Sequence, residues 1–64
     1  MDKETYIDKV TMDFATYYLE TIKLYRFPAE TMERDVDAAV HRMCQMTTVL
    51  YKALQNHKDE LPFD

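Results

Sequence analysis

Glycine is absent from this chain of 64 residues, and proline occurs only twice. Tight β-turns lean on glycine, so strand hairpins are disfavoured and an all-α fold is expected. Cysteine is nearly absent too: Cys44 stands alone, which excludes an internal disulfide. A small secreted domain would normally carry paired cysteines, so the composition reads as cytoplasmic. No apolar run approaches the length of a bilayer, and the opening Met1-Asp2-Lys3-Glu4 is acidic and mixed, unlike a signal peptide. A soluble protein with no membrane partner is expected. Basic residues are outnumbered, giving a formal charge of −4, and no direct nucleic-acid binding is expected of such a surface. A Gly-rich phosphate loop, a Ser-His-Asp order and a paired-cysteine motif are all missing. The expectation is a protein that is not an enzyme and takes no cofactor.

What the chain does contain is two long segments with apolar residues at helical spacing, separated by Tyr25-Arg26-Phe27-Pro28-Ala29-Glu30. Pro28 lacks an N–H and pushes Phe27 out of the α region, yet suits the first turn of a new helix. The spacing predicts a helix over about 4–26, a turn at 27–29, a second helix over about 30–58 and a tail at 59–64. Asp2 or Thr5 would cap the first helix, and Glu4, Asp8, Glu30 and Glu33 would complement the helix dipoles. Asp is a poor interior helix residue, so a break is expected near 35–37, within Arg34-Asp35-Val36-Asp37. The fold is then an antiparallel helical hairpin or a small three-helix bundle, and pairing of two hairpins would make a four-helix bundle.

The apolar surface exceeds what one neighbouring helix can cover. In the first arm Ile7, Val10, Phe14, Tyr17, Tyr18, Thr21, Leu24 and Tyr25 share one broad face, with Met12, Ala15, Leu19 and Ile22 beside it. Lys9, Asp13, Thr16, Glu20 and Lys23 fill a narrow polar strip. The second arm admits two seams: Met32, Val36, Ala39, Met43, Met46, Leu50, Ala53, and Val36, Val40, Met43, Thr47, Leu50, Leu54, Leu61. Two seams imply two neighbours. A chain this short buries only ~60% of its unfolded surface and has marginal stability alone, so docking on a protein partner or self-association as a homodimer is expected. The residues expected to bind the partner are Ile7, Val10, Phe14, Tyr17, Tyr18 and Tyr25.

Other groupings read better as ordinary surface. Asp37, His41 and Cys44 share a helical face and are zinc-ligand types, but a solvated histidine beside a small core-edge cysteine accounts for them, and no metal is expected. Glu20, Glu30, Glu33 and Asp37 are carboxylates of the sort that hold Mg²⁺ in helical pyrophosphohydrolases, without the paired acidic motifs such a site needs. Four of the five tyrosines lie in the first arm, but no basic groove accompanies them as base stacking would require. Tyrosine is also common at protein interfaces.

The segment Asp8-Lys9-Val10 with Asp13 and Ala15, then Tyr25 and Pro28, then Ala29-Glu30 and Glu33-Arg34-Asp35, and finally Leu61-Pro62-Phe63, resembles the theta subunit family of bacterial DNA polymerase III and its phage-borne relatives. The chain departs from that family in being acidic and in lacking a proline after the Arg-acid pair. The resemblance implies a small all-α accessory subunit in DNA replication that binds and stabilises the proofreading exonuclease. The alternative is a homodimeric helical-bundle regulator or inhibitor of a host protein, phage- or plasmid-borne.

Overall fold

A computed structural model describes residues 2–62. It is an all-α hairpin of two long helices, with no strand among the described residues. Helix α1 runs Lys3–Leu24 and helix α2 runs Met32–Asn56; short 3-10 turns, Ala29–Thr31 and Lys58–Glu60, precede and follow α2. The molecule is a rod with extents of 49 × 17 × 12 Å.

Of the two expected caps, Asp2 caps α1. Its extended backbone (φ −77°, ψ 167°) aims the carboxylate at the Thr5 N–H, which donates over 2.7 Å. A carboxylate there satisfies a free donor and sits at the positive end of the dipole. The Thr5 N–H is also the main reason the Asp2 carboxyl is held below its ordinary pKa.

The helix stops at Leu24, two residues before the expected end near 26. Tyr25 is already extended (φ −79°, ψ 136°), and its N–H donates to the Ile22 carbonyl over 3.2 Å. Side chains two apart on extended backbone share a side. The rings of Tyr25 and Phe27 accordingly meet with centroids 4.7 Å apart, so the extended stretch begins early enough to form that pair. Residues 29–31, expected as turn and first helical residues, form the 3-10 turn closed by Thr31 N–H to the Pro28 carbonyl.

The break expected near 35–37 is not present; α2 passes through it without interruption. Asp35 lies in the first turn of α2, where negative charge opposes the dipole. Its carboxylate accepts from Thr31 Oγ1 at 2.6 Å and pairs with the Arg34 guanidinium at 3.4 Å. The backbone competition that makes Asp a helix breaker is thereby spent on side-chain partners.

The helices are antiparallel, since Glu4 at the start of α1 accepts from Gln55 Nε2 at 2.9 Å and from Lys58 Nζ at 2.6 Å at the far end of α2. One turn past Glu4, Ile7 is the only fully buried residue among those described, at 0% exposure. The rest of the seam is half-buried: Val10, Thr11, Phe14, Tyr18 and Ile22 from α1, and Val36, Ala39, Met43, Thr47, Leu50 and Leu54 from α2. These α2 positions are spaced 3-4-4-3-4 and combine members of both expected seams. Mid-helix threonines Thr11, Thr21 and Thr48 donate to the carbonyls of Ile7, Tyr17 and Cys44. Thr47 differs, for its hydroxyl is buried in the seam with no partner.

Candidate protein-docking trough

Beside the seam, α2 carries Asp35, Ala39, Arg42, Met46, Val49 and Ala53 at alternating steps of 4 and 3, and α1 carries Phe14, Tyr18 and Thr21 in the same rhythm, with Tyr25 just past its end. In an antiparallel pair these two stripes lie on the same side of the hairpin. The surface between them is hollowed at two places. A groove of about 650 Å³ is lined by Phe14, Arg42, Gln45, Met46, Val49, Leu50 and Ala53. A second, of about 440 Å³, is lined by Tyr18, Thr21, Ile22, Tyr25, Phe27, Pro28, Asp35 and Ala39. Placed end to end, they make one shallow trough running from Ala53 to the Tyr25–Pro28 link.

Most of its surface is carbon. Val49 is 66% exposed and Tyr25 64%, far more than an isolated core helix leaves uncovered. The rings of Phe14 and Tyr18 lie 6.1 Å apart at 50°, continuing the tilted aromatic packing of Tyr25 and Phe27 along the floor. Charge is confined to Arg42 in the larger groove and Asp35 in the smaller. Asp35 is neutralised by Arg34, whereas Arg42 makes no ion pair or hydrogen bond among the described residues. The trough is open along its length, a shape suited to a helix or side chains of another protein more than to a small molecule.

The six residues expected at the partner surface separate into three situations. Ile7 is core and has no surface to offer. Phe14, Tyr18 and Tyr25 line the trough. Val10 is half-buried one turn before Phe14, and Tyr17, 74% exposed, stands on the outer border of the same face. The α2 wall, with Arg42, Met46, Val49 and Ala53, was not among them. Its signal was present in the 4-3-4-3-4 stripe that starts at Asp35, adjacent to the seam.

The opposite face is mixed. Met12, Leu19, Val40 and Tyr51 are exposed there among Asp8, Glu33, Asp37 and the exposed Cys44. Asp37, His41 and Cys44 are all exposed, and no group of three His, Cys, Asp or Glu side chains among the described residues converges as a metal site would require. The carboxylates Glu20, Glu30, Glu33 and Asp37 do not form such a group either; Glu20 pairs with Lys23 at 3.1 Å.

The open end of the hairpin is polar. Hydrogen bonds from Lys58 and then Gln55 hold the Glu4 carboxyl below its usual range, and Glu4 in turn raises Lys58. His57 pairs with Glu60 across the last turn.

No protein-family model matches the chain, and neither a curated protein nor a solved structure matches it. Among the described residues no helix is long and apolar enough to cross a membrane.

Proposed function

We propose that this chain is a non-catalytic protein-binding unit that docks through the trough. The observation that carries this reading is the imbalance between one fully buried side chain among the described residues and two adjoining apolar grooves beside it. A hairpin so thinly cored gains most of its remaining hydrophobic stabilisation by covering that face. The lone exposed thiol of Cys44 fits a reducing compartment, and the cytoplasm is the proposed location.

The resemblance to the theta family names one partner, the proofreading exonuclease of a replicative polymerase, which the chain would bind and stabilise as an accessory subunit. Titration of the exonuclease with this chain tests it. Phe14→Ala and Tyr18→Ala should each weaken the complex by more than ~1 kcal/mol, since aromatic side chains in such a groove serve as anchors. Unchanged affinity in both variants would remove the trough from the account.

A further inference from the structure

We infer that the occupant of the trough is a second copy of this chain, stacked face to face so that two hairpins close into one antiparallel four-helix bundle. The inference rests on the reading of the trough as a protein-docking surface; a second copy and the exonuclease would compete for it, and the inference commits to the second copy.

Area is the first support. The chain exposes 5212 Å² for a mass of 7.7 kDa. A folded monomer of this mass is expected to expose about 4,300 Å², which leaves an excess of about 900 Å². That excess is close to the ~800 Å² that each partner contributes to an interface of standard size. It is enough for one interface per chain, and the trough is the face that carries the two apolar grooves.

Charge selects the arrangement. On α1 the outer border of the trough carries Asp13, Tyr17, Glu20 and Leu24, its two carboxylates held only by the solvent-exposed lysines Lys9 and Lys23 at 3.1 Å; on α2 the charge within the larger groove is that of Arg42, which has no such partner among the described residues. Two symmetric ways of stacking the faces keep all neighbouring helices antiparallel. With the two-fold axis across the helices, α1 lies on its own copy, and the acidic border meets itself. With the axis along the helices, α1 of one protomer lies over α2 of the other, and the acidic border meets Arg42. The second is favoured because like charges across an interface repel.

Level fixes which acid. Phe14 faces Met46 and Leu50 across the hairpin, and Ile22 faces Ala39, so Arg42 stands opposite residues near 18–20. A two-fold axis along the helices preserves these levels. Arg42 of each protomer therefore comes level with Glu20 of its partner, whose side chain is 59% exposed and exchanges or shares its surface pair with Lys23 for Arg42 on docking.

Sedimentation equilibrium over a wide concentration range, on the wild type and on charge-reversal variants at these exposed positions, tests the inference. The wild type should approach twice the 7.7 kDa chain mass. Arg42→Glu and Glu20→Arg should each raise the dimer dissociation constant about tenfold, because a symmetric dimer loses a surface pair twice. The double variant should restore most of the affinity. A chain that stays monomeric at every concentration overturns the inference; if that monomer still binds the exonuclease through Phe14 and Tyr18, the docking reading survives without it. A dimer indifferent to Arg42→Glu and to Val49→Asp is assembled through another surface and overturns both.

Discussion

The two broad faces of the hairpin are made from similar numbers of apolar side chains, yet they are built differently. On the trough face Phe14, Tyr18, Met46, Val49 and Ala53 lie next to one another in two unbroken stripes. On the opposite face Met12 and Leu19 of α1 and Val40 and Tyr51 of α2 are exposed, with Asp8 towards one end of the patch, Glu33 and Asp37 towards the other, and Cys44 and Thr48 between the two α2 residues. The trough face differs in its two grooves and in its aromatic lining of Phe14, Tyr18, Tyr25 and Phe27, the residue type enriched in interaction surfaces. The two faces share one support, the seam that begins at the buried Ile7 and runs to Ile22. Changes to the seam should affect both faces, and changes to either face should be separable.

The largest effect is therefore expected at Ile7. Ile7→Ala should destabilise the hairpin by about 2–5 kcal/mol, the range for truncating a buried isoleucine, and chemical denaturation monitored by helicity measures it. With so little else buried, the variant should be largely unfolded at low concentration, and both faces should be lost together.

Next comes the comparison of the faces themselves. Val49→Asp and Met12→Asp place the same poor helix former on exposed mid-helix positions, and the intrinsic helix cost is the larger for Met12→Asp because methionine is the better helix former. Burying an unpaired carboxylate in a docked trough adds at least ~2 kcal/mol to the first alone. Association measured by sedimentation should fall by more than tenfold for Val49→Asp and hold for Met12→Asp.

A smaller change, of opposite sign, is expected inside the seam. Thr47 buries a hydroxyl that no group satisfies. Thr47→Val keeps the shape and removes the unmet polar atom, so it should stabilise the hairpin by about 1 kcal/mol in the same denaturation experiment.

The smallest effect concerns the polar end, away from both faces. The Glu4 pKa is lowered by its bonds to Lys58 and Gln55, so its contribution is present above the unfolded carboxylate pKa and is lost as pH falls through the folded value. The Lys58 pKa is raised, so its contribution is present below the unfolded lysine value and lost as pH rises through the folded one. The tie between the chain ends should hold near neutrality and loosen in strong acid or strong base. Protection of the Gln55 side-chain amide, measured by NMR relative to its intrinsic exchange rate at each pH, should fall at both extremes while that of the Ala39 backbone amide changes little.

The fold was legible because its signals were local: the missing glycines, the 3-4 spacing of Ile7, Phe14 and Tyr18, and the block at Pro28. The pairing of the faces was not legible, because both seams of α2 obey the same spacing and a helical wheel does not say which side meets the other arm. Thr47 stood in the second expected seam and lies in the observed one; what spacing did not reveal is that its hydroxyl is left without a partner there. Ile7 was grouped with Phe14 and Tyr18 by angle alone; depth separates them, and depth depends on where Gln55 and Lys58 return to Glu4. The break anticipated at Asp35 failed for a related reason, as intrinsic preference was overruled by Thr31 and Arg34, whose contacts exist only once the turn has formed. The trough followed from α2 as much as from α1, and Val49 belonged to neither seam.

The most direct measurement of the central claim uses two methionines as reporters, Met46 in the trough and Met12 on the opposite face. Solvent paramagnetic relaxation of their methyl signals, recorded as the protein concentration rises, reports which face becomes covered. Met46 should become protected from the soluble agent as copies associate, while Met12 stays as accessible as it was in the dilute protein. Protection of Met12 with Met46 left open, or equal exposure of both at every concentration, would contradict the account.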